Sequence, residues 1–216
     1  VRPGGPAGAL HADALATLSC WVPPTPGQAA LRERYLVHLR EHDDGMRRSC
    51  YPDHLTASTL VLSADGGAAL LTLHAKARRW FQLGGHCEDG DPGLLAAAAR
   101  EAGEESGLAG LDLDPEPVQL SEHAVPFCDP RGGVHHLDVR FVAVAPAGAE
   151  HAVSEESLDV RWWPADALPD PEPDLVELVD LARARVLGRG QASTSSAGAS
   201  SSSSDPGGGS RWAAEE

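Results

Sequence analysis

No two cysteines of this chain stand close together. Cys20, Cys50, Cys87 and Cys128 are widely spaced and form no C-x-x-C pair. That argues against a disulfide framework or a zinc ribbon and fits a reduced, cytoplasmic setting. Long apolar runs are missing too, and none approaches the roughly 20 residues that span a bilayer. The opening stretch VRPGGPAGALHADALATLSC lacks a long apolar core, so no signal peptide is expected. Positive charge is scarce: 17 Lys and Arg stand against 32 Asp and Glu, a formal net charge of -15. With no basic stripe, neither a nucleic-acid polymer nor an anionic membrane is an expected partner. A small anionic substrate stays compatible if a bound cation reverses the local sign of charge. There is no internal repeat, and 216 residues suit one domain with decorated ends.

What is present is organised as follows. Residues 1–27, rich in Gly, Pro and Ala, are read as a weakly ordered lead. The segment QAALRERYLVHLREH (28–42) sets Leu31, Tyr35, Leu36 and Leu39 at helical intervals. Leu55–Ser63 is β-branched and apolar, ADGG (64–67) is a turn, and Ala68–Ala75 reads as the returning strand of a hairpin. EPVQLSEHAVPF and GGVHHLDVRFVAVA are two strand-like segments joined by CDPRGG. SLDVRWWP is one more strand, on which Trp162 and Trp163 point to opposite faces, so at most one is expected in a core. Asp174–Leu187 carries its apolar residues on one side of a helix. The Ser/Gly-rich 188–216 is expected to be disordered. The expected ordered domain is a mixed α/β unit over 28–187.

Between the hairpin and the later strands lies LLAAAAREAGEESGL (94–108). Asp91 suits an N-cap, Pro92 the first helical position and Gly107 the C-terminal stop. Leu94, Leu95, Ala98 and Ala102 make a small apolar face that can lie flat on a sheet. At about 100° and 1.5 Å per residue, Glu101, Glu104 and Glu105 fall on an arc of roughly 100° within about 6 Å of axis. Like charges at this spacing repel by roughly 0.2–0.5 kcal/mol per pair. Two readings account for them: a face open to water, or a set of oxygens around a hard cation such as Mg²⁺.

The stretch GGHCEDGDPGLLAAAAREAGEESGL (84–108) resembles the box of the Nudix hydrolases, G-x5-E-x7-R-E-U-x-E-E-x-G-U, with U a bulky apolar residue. Gly85 matches the first glycine, and Arg100, Glu101, Glu104, Glu105, Gly107 and Leu108 match the second half in register. The resemblance extends over about 55–187. It departs at the middle glutamate, whose place eight residues before Arg100 is held by Pro92, with Asp91 the nearest acid. Ala102 stands where a larger apolar residue is usual. Gly103, inside the helix, costs about 1 kcal/mol relative to Ala.

The resemblance implies an α/β/α sandwich (α+β) with a mixed sheet. It also implies Mg²⁺- or Mn²⁺-dependent hydrolysis of a phosphoanhydride in a nucleoside diphosphate derivative. Glu101 and Glu105 are then the main metal ligands, with Glu104 completing the site, Gly85 near enough to offer a carbonyl, and Arg100 orienting the carboxylates. Glu104, Glu155 and Glu156 are the candidates for the general base. His86, Arg78 and Trp80 are candidate substrate contacts, beside Lys76, Arg79 and Phe81. For each, an ordinary turn or core role is the competing reading.

His86, His123, His135, His136, Cys87 and Cys128 show no spacing of a transition-metal site, and ordinary strand and loop roles are expected for them. The isoprenoid isomerase branch of the family needs a reactive cysteine; Cys87 is near the box but has no partner pattern. Two functions remain: a hydrolase, and a nucleotide-sensing module on the same fold. The helix over 28–42 either covers the site or forms a homodimer face.

Overall fold

The structure, a computed structural model, describes residues 6–153, 157–169 and 172–197. Eight strands form one mixed sheet. At its centre β1 (Asp53–Leu62) runs parallel to β7 (His135–Val144), in register from Asp53 opposite His135 to Leu62 opposite Val144. The other edge of β1 is shared. β4 (Leu83–His86) pairs antiparallel with its first half, from Thr56 opposite His86 to Thr59 opposite Leu83. β2 (Ala68–His74) takes over at Val61 opposite Leu70. β7 divides its far edge in the same way between β6 (Gln119–Ala124) and the short β5 (Asp112–Leu113). β3 (Trp80–Phe81) and β8 (Ser157–Pro164) both pair with β2.

Alternation along the two central strands sorts the faces of the sheet. Leu55, Ala57 and Val61 of β1, with Leu137, Val139, Phe141 and Ala143 of β7, are buried on one face. Helices α1 (Pro6–Cys20), α2 (Pro26–Glu41) and α3 (Leu94–Ser106) cover them. Leu60, Leu62 and Val142 face the other way and pack against Leu175, Leu178, Val179 and Ala182 of α4 (Pro173–Ala197). The layers are therefore α/β/α, as the resemblance implies. Towards the start of β1 and β7 this second face changes character. Thr56, Ser58, His136, Asp138 and Arg140 are polar and line an open cleft instead of a helix.

Helix α1 departs from the expected weakly ordered lead. Leu10, Ala14, Leu18 and Trp21 are buried in the main core cluster. Its Asp13 accepts from the Leu94 N–H at 2.8 Å and so caps α3 from a distance. Gly93 is the N-cap of α3, and a Cβ there would lie 2.4 Å from the Asp13 carboxylate. The sequence-based choice of Asp91 and Pro92 as N-cap and first turn is thus displaced by two residues. The C-terminal stop is as expected: Gly107 sits at φ 68°, and its N–H donates to the Gly103 carbonyl.

Helix α2 belongs to the fold and contributes no residue to the lining of the cleft. Tyr35, Leu36 and Leu39 are buried, and the Gln28 side chain bonds both ways with the Leu120 backbone. Arg34 bridges Asp53 at 2.6 Å and Glu122 at 3.1 Å. Helix α4 runs ten residues beyond the expected end at Leu187, to Ala197; the rest of the Ser/Gly-rich tail lies outside the described residues. Trp162 and Trp163 point to opposite faces as expected, and both are only partly buried. Each packs against a different hydrophobic cluster, because both faces of β8's sheet are covered.

Candidate active site

The cleft on the second face holds about 1290 Å³. One wall is α3. Its buried residues Leu94, Ala97, Ala98 and Ala102 lie on the sheet, and Thr59 donates to the Ala98 carbonyl. That seating turns Glu101, Glu104 and Glu105 towards β4, whose Gly84 and Gly85 present no side chain. Glu105, 9% exposed, accepts from the Gly84 N–H at 2.9 Å. The Glu101 carboxylate lies so close to Gly85 that a Cβ would fall 2.8 Å from all three of its atoms. Glu104 is the outer member, with a side chain 61% exposed against 14% for Glu101.

Arg100 holds the group together. Its Nε and Nη2 grip the two Asp91 oxygens at 3.1 Å each, and Nη1 donates to Glu101 and Glu104 at 3.0 Å. Nη2 also reaches the His86 carbonyl at 3.0 Å. The Asp91 hydrogen bond does most to raise the Arg100 pKa. Burial alone would raise the Asp91 pKa, but Arg100 and the Glu88 N–H outweigh it, so this carboxyl lies below the usual aspartate range. Asp91, the acid nearest the box's missing glutamate, thus pairs with Arg100. Asp91 lies ahead of α3 and faces the guanidinium instead of capping the helix.

Glu101 and Glu104 stand on one guanidinium and Glu105 on the Gly84 N–H, at an edge where a single Cβ at residue 85 would run into the Glu101 carboxylate. An all-oxygen, negatively biased set of this kind fits Mg²⁺ or Mn²⁺. Glu101 and Glu105 would hold the ion, with Glu104 at the open side.

The sequence profile of the NUDIX domain matches residues 52–181. The chain belongs to the Nudix family. Several solved structures share the fold. An Ap4A hydrolase from C. elegans has 17% identity and a TM-score of 0.53, covering 62% of this chain and 98% of that one. The NUDIX domain of Shewanella oneidensis NrtR, complexed with ADP ribose, has 21% identity and a TM-score of 0.50, covering 69% and 97%. E. coli dihydroneopterin triphosphate pyrophosphohydrolase has 18% identity and a TM-score of 0.50, covering 59% and 94%. No curated protein matches the chain.

The other sequence candidates separate. Trp80 lines the Nudix cleft while packing edge-on against Trp163 at 5.2 Å, so it serves the core as well. Arg78 lies outside the cleft lining, in a turn at φ 57°; its neighbours Lys76 and Arg79 are the ones that line it, and Arg79 pairs with Glu172. Glu155 and Glu156 lie outside the described residues. Cys87 is buried, and burial pushes its thiol up to about 12, which does not suit a nucleophile.

Sequence reasoning missed two groups in the cleft. Asp138, fully enclosed, accepts from Thr56, Ser58, Gln82 and Arg140, and Arg140 continues to Gln119 and Asp174. This network makes a rigid polar floor. The second group is imidazole. His54, His86 and His136 crowd together with ring centroids 4.9–5.1 Å apart, around the Cys128 sulfur. Burial, then the neighbouring imidazoles, lowers His86 to about 4 and His136 to about 3; burial also lowers His54. The rings are therefore neutral at pH 7. His86, His136 and Cys128, expected to play ordinary strand and loop roles, are gathered into one place. The missed member, His54, has no motif around it; its only sequence signal is its place at the start of an apolar strand.

Proposed function

We propose that the protein hydrolyses a phosphoanhydride bond in a nucleoside diphosphate derivative with the help of Mg²⁺ or Mn²⁺. The observation that carries this reading is the triad Glu101, Glu104 and Glu105, held by Arg100 and Asp91 against the Gly84–Gly85 edge of an open cleft. A bound divalent ion neutralises phosphate charge and makes a bound water more acidic. The chain's own residues do the rest, and for phosphoryl chemistry that is mostly positioning and charge. Arg100 fixes two of the carboxylates. Arg48 and Lys76 bring positive charge to the cleft, suited to phosphate oxygens. Phe127, 42% exposed and 5.4 Å from the His74 ring, offers a ledge for a base or another flat group. Glu104, outermost of the triad, is placed to take the proton of the attacking water. Glu155 and Glu156 are the other candidates for that step, and the chain just before them is tied to the end of α3 by the Ala152 N–H on the Ser106 carbonyl.

The second reading is a nucleotide sensor. It draws on the oxygens that Glu101 and Glu104 commit to Arg100, and on the likeness to a NUDIX domain solved with ADP ribose. The test is Mg²⁺- and Mn²⁺-dependent release of product from a panel of dNTPs, ADP-ribose, NADH, nucleotide sugars and dinucleoside polyphosphates. Glu105→Gln is run alongside. Turnover that the variant loses supports the hydrolase. No turnover with either metal, but nucleotide binding by calorimetry, overturns it in favour of the sensor.

A further inference from the structure

A second cluster of donors, three of its four members lining the cleft, has no part in the chemistry above. It is assembled from four separate elements: His54 on β1, His86 at the end of β4, His136 on β7 and Cys128 in the β6–β7 connection. The three Nε2 atoms converge on one sulfur. Cys128 Sγ lies 3.5 Å from His86 Nε2, 3.5 Å from His136 Nε2 and 3.9 Å from His54 Nε2. All four donor atoms fall within 4.8 Å of one another.

Hydrogen bonding alone explains this poorly. A thiol carries one proton and its sulfur is only a weak acceptor, so three imidazoles around one thiol make at best a weak hydrogen-bonded cluster. The His54 ring makes the shortfall explicit. Its Nδ1 faces the Cys50 carbonyl at 3.2 Å, and a carbonyl only accepts, so Nδ1 carries the proton. The His54 Nε2 is then a bare lone pair aimed at the cluster. A backbone carbonyl holding the far nitrogen is also what orients histidines that bind metals.

A tetrahedral ion explains it well. Bond lengths of about 2.3 Å to sulfur and 2.0–2.1 Å to imidazole nitrogen set S···N edges of about 3.5 Å around Zn²⁺. Two of the three observed separations equal that edge, and the third exceeds it by a few tenths of an ångström. We propose that Cys128, His54, His86 and His136 form a Cys-His₃ site for a tetrahedral divalent ion, Zn²⁺ first, distinct from the carboxylate site on α3. One thiolate and three imidazoles disfavour Mg²⁺ and favour zinc. Four protein ligands close the coordination shell, which is the pattern of a structural ion. The ion ties the β6–β7 connection, with Phe127 at the mouth of the cleft, to three strands of the sheet. This site does not rest on the hydrolase reading.

The test uses the full chain, expressed with added zinc and purified without chelator. Metal analysis is expected to give about one zinc per chain. Replacement by Co²⁺ is expected to give the strong visible bands of tetrahedral cobalt and a thiolate charge-transfer band in the near ultraviolet. Cys128→Ser should lose the charge-transfer band, and His54→Gln should lose stoichiometric metal, while Glu105→Gln keeps both. Circular dichroism establishes that the variants are folded, and the wild-type cobalt spectrum stands as a test even where a variant is not. Wild-type protein with no stoichiometric zinc and no tetrahedral cobalt spectrum overturns the site. So does metal that survives Cys128→Ser with an unchanged spectrum and disappears in Glu105→Gln.

Discussion

Two donor sets flank the Gly85–His86 step of β4, and the chain builds them in opposite ways. The oxygen set comes from one helix, where Glu101, Glu104 and Glu105 share a face because the backbone repeats every 3.6 residues. The nitrogen and sulfur set comes from β1, β4, β7 and a loop, and its members are 82 residues apart at the extremes, from His54 to His136. The first is hard, acidic and half open to water. The second is soft, built from imidazole nitrogens and one sulfur, and more enclosed. The pairing teaches that local periodicity can announce a site on one element, whereas a site stitched across a sheet appears only when the register is known. Thr56 opposite His86 on one edge of β1, and His54 opposite His136 on the other, is what brings the imidazoles together.

If the two sets are separate, substitutions should divide between them, and the largest effect falls on chemistry. Glu105→Gln is expected to lower Mg²⁺-dependent turnover by about 10²–10³-fold, read as kcat/KM on the best substrate, because it removes charge from the buried end of the oxygen set. The Gly84 N–H keeps an acceptor in the amide oxygen, so the fold should persist, as a thermal melt would show.

Next in size is the bracket behind the oxygen set. Asp91→Ala leaves Arg100 without the two bonds that fix it and should cost roughly 3 kcal/mol in a denaturant titration, the low end for a broken buried pair because Glu101 and Glu104 remain. The same carboxyl gives a pH signature. Its folded pKa lies below the ordinary value of about 3.9, so its contribution to stability is complete above that value and fades as the pH falls through the depressed folded value. Asp91→Asn should therefore flatten part of the acid limb of a stability–pH profile; an unchanged limb would contradict the pairing.

Smaller, and aimed at one set alone, is Gly85→Ala. The added Cβ has nowhere to go except against the Glu101 carboxylate at 2.8 Å. Displacing that ligand should weaken Mn²⁺ binding by roughly 10–100-fold, the size found when a metal ligand loses its orientation. The smallest effect is favourable. A Cβ at Gly103 would meet only the Leu108 carbonyl, at 4.0 Å. Gly103→Ala should stabilise the fold by up to about 1 kcal/mol and leave both donor sets alone. A loss of stability there would mean that α3 needs its glycine for a reason the packing does not contain.

The same contrast explains what could be read from the sequence. β1, β2, β6, β7, β8 and α3 follow from apolar patterning, and Gly107 from its need for a left-handed turn. The carboxylates follow from helical spacing, and Arg100 from its position among them. Helix α1 escaped because Pro, Gly and Ala at its start and early turns resemble a loop; the recurrence of Leu10, Ala14 and Leu18 every four residues was the signal for it. The N-cap of α3 escaped because its partner, Asp13, comes from that unseen helix. Arg78 is a candidate by sequence because it is a basic residue just before the box; in the structure it sits in a left-handed turn outside the cleft lining that Lys76 and Arg79 share.

The central claim is that one cleft holds two separable ion sites, the hydrolytic one on α3. The most direct measurement is a Mn²⁺ titration, followed by electron paramagnetic resonance, of wild-type protein, Glu105→Gln and Cys128→Ser, with zinc content measured on the same samples. The account predicts that Glu105→Gln loses Mn²⁺ affinity and keeps its zinc, while Cys128→Ser loses zinc and keeps its Mn²⁺ site. A single substitution that removes both ions from a folded chain, or a wild-type chain that binds Mn²⁺ no better than Glu105→Gln, would contradict it.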